Sequence, residues 1–237
     1  MNVRITSALL VTGAVAVNAA FFGLGALFDY PDVLQQPGAD VLASFRDHQA
    51  GVMGWFAVLV AGAALMGPIA VGVRRLGTGR VATAALVAGV AAAVVQVIGL
   101  SRWLLVIPTV AWQAADPSRE AHAVDVYERA GFWMGEVIGE SFGYLLTGLW
   151  TLLVLRSLVR RPPVWFTALG TSSALAVLSG ILIPFGVPGT DLANFLGYVG
   201  WSLWLLCLAV LAWRGRLSPR SVEAAEAVEA SSVALVA

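Results

Sequence analysis

Charge is scarce in this chain, at 12% of 237 residues; cysteine occurs once, histidine twice and lysine not at all. A soluble globular chain carries about twice that charge, so a surface that faces water all round is excluded. Every basic residue is arginine, a matter of composition that carries no functional claim. No basic stripe is interleaved with aromatics, so nucleic acid is not an expected partner. The lone Cys207 cannot close an internal disulfide, and among leucines in the last apolar run it reads as a packing residue. No glycine-rich phosphate loop follows a strand, HExxH is absent, and Ser141 has no sequence-local base. No cofactor is expected, and nothing commits the chain to an enzyme.

What the sequence has instead is apolar length. Hydrophobic residues make up 59%, and mean hydropathy is +0.84. Six apolar runs, at about 5–28, 51–73, 81–107, 131–155, 164–186 and 192–213, each reach the length of a spanning helix. The expected fold is all-α: a polytopic membrane protein of six transmembrane helices, with an outer amphipathic helix before the fourth span. Residues 1–217 form that domain, and 218–237 read as a disordered tail. The first run exceeds a usual signal-peptide core and is read as a retained helix rather than a leader cleaved near Ala20.

Arginine sets the orientation. With the N-terminus in the cytoplasm, Arg4, Arg74, Arg75, Arg80, Arg156, Arg160, Arg161, Arg214, Arg216 and Arg220 fall inside. Only Arg46, Arg119 and Arg129 fall outside, so both termini are expected to be cytoplasmic. Two outer connections have helix signals. Asp40 reads as the cap of a helix over 40–49. Asp116-Pro117 reads as an N-cap followed by proline at N1.

The fourth run, 131–155, holds the strongest functional signal. Glycines at 131, 135, 139 and 143 make a bare stripe where another backbone can pack. Glu136, Glu140 and Tyr144 make the adjacent stripe on an α-helix. Carboxylates in a span usually face a bundle interior or a wet cavity. Depth follows by counting from each inner arginine at about 1.5 Å per residue. Arg102 then lies about 33 Å up, Glu136 and Asn194 about 30 Å, and Gln96, Glu140 and Tyr198 about 24 Å. These groups share the outer leaflet. Arg102 is at the height to pair with Glu136, and Gln96 to reach Glu140. With one positive and two negative charges, the layer has room for a proton, a cation or a small amine. The bland reading is that Arg102 and one glutamate only lock two helices together.

His48 and His122 are the only imidazoles available to a metal site, and their positions match no recognised ligand spacing. They read as surface residues. Trp55, Trp103, Trp112 and Trp133 on the outer side, with Trp150, Trp165 and Trp213 on the inner, read as interfacial belts. Pro68 and Pro108 are expected to kink or end their helices.

Two segments carry a resemblance: Gly99-Leu-Ser-Arg102-Trp-Leu-Leu-Val-Ile-Pro108, and Tyr127 through Leu153 with its Gly-Glu-x-x-Gly-Glu region and later Gly-Leu-Trp. They resemble a bacterial family of membrane proteins known as domain of unknown function 4386. The resemblance implies six retained helices in a bacterial inner membrane and draws attention to Arg102, Glu136 and Glu140. It implies no substrate, cofactor or catalytic role.

Three function classes follow. The first is a membrane protein whose outward polar site (Arg102, Glu136, Glu140, Gln96, Tyr144, Tyr198, Asn194) binds or passes a proton, cation or small amine. The second is a structural or partner-binding subunit, packing in the bilayer through the glycine stripe, including as a homo-oligomer. The third is a metal-dependent intramembrane hydrolase that would use the histidines and glutamates.

Overall fold

A computed structural model describes residues 2–217, so the tail expected from Ser218 lies outside the described residues. The chain is all-α, and six helices are long and apolar enough to cross a membrane. They are Val3–Phe28, Gln49–Leu76, Gly79–Gln113, Glu120–Ser157, Val164–Phe185 and Thr190–Trp213. Each matches an expected apolar run. Each span packs against the next in sequence, and the sixth returns to the first, closing a ring of helices. Large apolar side chains such as Phe22, Val87, Leu105 and Leu196 stay exposed on the flanks, as a lipid-facing surface requires.

Proline decides where two spans break. The Pro68 ring excludes the carbonyl four residues back, and the second span parts there into Gln49–Ala64 and Met66–Val73. Pro108 does the same to the third span, which parts into Gly79–Leu105 and Ile107–Gln113. The third span therefore does not end at Pro108; it bends and continues.

Two apolar cores fill the bundle. Towards the arginine-rich end, Leu10, Ile69, Trp150, Phe166, Trp204 and Leu208 pack together. Towards the acidic end the core is built on Trp103, with Phe28, Phe45, Phe56 and Ile107 around it. Trp103 stacks on Phe56 with ring centroids 4.8 Å apart and meets Phe28, Tyr30 and Tyr127 edge-on. This corrects the belt reading of two tryptophans. Trp103 and Trp150 are fully buried, whereas Trp55, Trp112, Trp133, Trp165 and Trp213 are exposed. Periodicity gave no warning, because a tryptophan near a helix end suits an interface and an interior equally well.

The acidic-end connections are ordered by that core. The helix Gly38–Asp47 starts at Pro37, so Asp40 lies in its first turn and is not its cap. Arg46 closes the connection by donating to the Ala111 carbonyl at 2.7 Å. Asp116 does not cap a helix either. It accepts from the Ser118 N–H at 2.9 Å and the Ser118 hydroxyl at 2.7 Å, forming a turn, and the helix begins only at Glu120. A short side chain that can bond two residues ahead closes its own turn as readily as it caps a helix.

At the opposite end the two arginine-rich loops are pinned together. Thr78 N–H donates to the Ser157 carbonyl at 3.1 Å and Val159 N–H to the Leu76 carbonyl at 3.3 Å, across a bridge between Gly77 and Leu158.

Candidate functional site

The fourth span is not a uniform α-helix. Glu120–Ala130 is α-helical, Gly131–Phe142 is a π-helix, and Gly143–Ser157 is α-helical again. The π stretch coincides with the segment that carries both glutamates. Such stretches are rare, usually single-turn, and concentrate at functional sites.

A Cβ on Gly99 would sit 2.5 Å from the Gly139 Cα and 2.8 Å from the Met134 carbonyl oxygen, so the two backbones touch. One turn away, a Cβ on Gly135 would sit 2.7 Å from the central carbon of the Arg102 guanidinium. The bare stripe thus does two things. Gly139 lets the spans meet, and Gly135 leaves the slot that the Arg102 head fills. This places Gly135, Gly139 and Gly143 against the third span, whereas Gly131 has no neighbour within 4 Å.

Arg102 is buried, at 5% exposure. Its guanidinium donates to the Gly99 carbonyl at 2.8 Å and lies over the Trp103 ring, 5.5 Å from its centroid. The expected ion pair with Glu136 is not made. Among the described residues the ion pairs are Arg119 with Asp116 and Arg129 with Asp125, both exposed. Glu136 is itself exposed, while the preceding Gly135 takes the interior position.

Glu140 takes the inward place. It is partly buried, accepts from the Tyr144 hydroxyl at 3.5 Å, and lies within the fields of Arg102 and Glu136. Tyr30, in the connection after the first span, feels Arg102 and Glu140 as well. Burial pushes the Tyr30 hydroxyl up to about 12, with the Arg102 charge opposing and the Glu140 charge adding to that shift.

Below this level the polar groups continue as a chain. Gln96 does not reach Glu140; it donates to the Thr147 hydroxyl at 3.0 Å. Thr151 donates to the Thr147 carbonyl at 2.9 Å and accepts from the Trp201 indole at 2.8 Å. The Tyr144 and Tyr198 rings lie 5.9 Å apart. Asn194 is buried and donates to the Val177 carbonyl at 2.8 Å. Gly180 of the fifth span backs onto Asn194 and Tyr144 together, which makes those two neighbours.

Glu140, Tyr144, Tyr198 and Asn194 therefore adjoin one another between the fourth, fifth and sixth spans; Gln96 of the third span bonds Thr147 beneath them, Arg102 acts on Glu140 through its charge alone, and Glu136 is exposed. Sequence reasoning missed Thr147, Thr151, Trp201 and Tyr30. The first three lie one to three turns below Glu140 and Tyr198 at helical spacing, a signal that was there to be used. Tyr30 had none, since a connection brings it in.

The histidines stay apart from this layer. His48 is exposed, with Nδ1 3.2 Å from the Ser44 carbonyl, and His122 is exposed on the helix Glu120–Ala130. Among the described residues, no three His, Cys, Asp or Glu side chains gather as a set of metal ligands.

A ring of six helices, each long and apolar enough to cross a membrane, defines a multi-pass integral membrane protein. The family described as Domain of unknown function (DUF4386) matches residues 5–221, and the chain belongs to it. No curated protein and no solved structure matches the chain.

Proposed function

We propose that this is a multi-pass protein of the bacterial inner membrane, with both termini cytoplasmic, whose outward-facing polar layer takes up and passes a proton through Glu140. The observation that carries this reading is the setting of Glu140: half-buried on a π-helical stretch, hydrogen-bonded to Tyr144, and in the field of an Arg102 that makes no ion pair. An intramembrane carboxylate of this kind is a functional residue by default.

Charge balance favours a proton over a metal-sized cation. With Glu136 at the rim, the interior of the layer holds one guanidinium and one carboxylate, and it has no surplus negative charge to attract a cation. Gain or loss of one proton at Glu140 changes that balance by a full unit. The Tyr144 hydroxyl supplies a partner that can both donate and accept. A small amine is the competing occupant, held by Glu140 with the Tyr144 and Tyr198 rings beside it.

The test is proton uptake by the purified chain in detergent and in liposomes from about pH 5 to 8, with Glu140→Gln and Glu136→Gln compared. Glu140→Gln keeps a hydrogen-bonding group for Tyr144 but cannot ionise, so the variant takes up one proton per chain fewer than the parent across this range. Glu136→Gln leaves uptake nearly unchanged. If Glu140→Gln takes up protons as the parent does, the reading is wrong.

A further inference from the structure

At the end of the bundle away from this layer lies a cleft of about 640 Å³, lined by Arg160, Arg161, Pro162, Pro163, Arg216 and Leu217. Three arginines therefore line one space. The sequence brings two of them as neighbours on the loop after the fourth span and the third from just beyond the sixth span. Local geometry holds both sides in place.

The loop side is fixed by the Gly77–Leu158 bridge before it and by two prolines after it, which restrict the backbone beside Arg160 and Arg161. On the other side, Gly215 adopts a left-handed conformation, φ 67°, and the Arg216 N–H donates back to the Leu211 carbonyl at 3.0 Å. Leu217, 1% exposed, plugs into the apolar core and stops the segment from swinging away. Arg160 is half-buried, while Arg161 and Arg216 are exposed. Among the described residues none of the three has a carboxylate partner.

Three arginines that line one cleft, with no carboxylate partner among the described residues, suit a phosphate group. Guanidinium offers paired N–H donors to phosphate oxygens. The surroundings indicate where the phosphate comes from. Val164 and Trp165 at the start of the fifth span are 86% and 54% exposed, and Trp213 at the end of the sixth is 60% exposed. Tryptophans of this kind mark the headgroup level of a bilayer, and the apolar flank beside them accommodates acyl chains. Basic pockets between spans at that level suit anionic lipid headgroups.

We infer that the Arg160–Arg161–Arg216 cleft is a binding site for a phosphate group, supplied by the headgroup of an anionic phospholipid. It is separate from the polar layer and does not rest on proton uptake there.

The experiment is native mass spectrometry of the full chain, titrated with phosphatidylglycerol, cardiolipin or phosphatidylcholine, with inorganic phosphate as a competitor. The parent retains one anionic lipid per chain in preference to phosphatidylcholine, and retention weakens as salt rises. Each arginine removed costs roughly fivefold, and the triple change R160A/R161A/R216A costs on the order of a hundredfold. Arg80→Ala, an exposed arginine at the same end and outside the cleft, controls for general surface charge and has a much smaller effect. A triple R160K/R161K/R216K variant keeps the charge and the fold but loses the paired donors, and it binds at an intermediate level.

Competition by millimolar phosphate without lipid selectivity would keep the phosphate site and replace its source with a free anion. Equal retention of all three lipids, with no effect of phosphate, overturns the inference. So does a triple lysine variant of parental thermal stability that binds as tightly as the parent.

Discussion

Replacing Gly99 with alanine tests the feature on which the polar layer depends, the contact of two backbones at Gly99 and Gly139. The new Cβ would lie 2.5 Å from the Gly139 Cα, 2.8 Å from the Met134 carbonyl oxygen and 3.2 Å from the Gly139 nitrogen. All three are backbone atoms, so no side chain can rotate away. Comfortable contact needs about 3.5–4.0 Å, so the spans must part by roughly 1 Å. Overpacking of this kind costs about 1–3 kcal/mol, offset by up to about 1 kcal/mol because alanine favours a helix over glycine. The net loss is about 1–2 kcal/mol, and for a chain of this size each kcal/mol lowers Tm by about 2–4 °C.

The same change elsewhere on the stripe gives a graded series. A Cβ on Gly139 would meet the Gly99 Cα and the Met134 oxygen at 3.0 Å each, a smaller clash. One on Gly131 would meet nothing within 4 Å, so only the helix preference remains and stability holds or rises. Thermal unfolding in detergent, followed by intrinsic fluorescence, should rank Gly99→Ala below Gly139→Ala, with Gly131→Ala highest. If Gly99→Ala melts at or above the parent, the two spans do not cross where the structure places them. The slot for Arg102 then loses its explanation.

Trp103→Ala should cost about 3–5 kcal/mol, the range for emptying a fully buried aromatic site, whereas exposed Trp133→Ala should stay within about 0.5 kcal/mol; chemical unfolding of both variants checks the contrast. The two Ser118 hydrogen bonds hold the Asp116 carboxyl below its ordinary value of 3.8, with a smaller contribution from Arg119. A depressed value means that the turn is stabilised above the ordinary value and loses that support as pH falls through the folded one. Hydrogen exchange at the Ser118 and Arg119 amides should quicken on acidification in the parent, relative to its intrinsic rate, and show no such step in Asp116→Asn. Reporter fusions near Thr78 and at the C-terminus should both read cytoplasmic, with the 113–119 turn outside; a C-terminus exposed on the outer side would refute the orientation drawn from the arginines.

The sequence alone determined the number of spans, their order and their approximate ends, because twenty-odd apolar residues in a row have one economical structure in a bilayer. It also set the relative heights of the polar groups, since height along a helix follows from residue count. Partners across the layer were not legible. Counting put Arg102 level with Glu136, but the direction in which a side chain points depends on the local pitch, and only the packed structure shows a π-helix over Gly131–Phe142. In that structure Glu136 lies outward, Glu140 lies beside Tyr144, and the Arg102 head lies in the slot at Gly135. Trp103 and Trp150 show the same division. Their depth was readable from the chain, but their burial was decided by which helices the ring closure set against them. Composition and spacing act along one helix at a time, whereas a site is made by the faces that neighbouring helices turn towards each other.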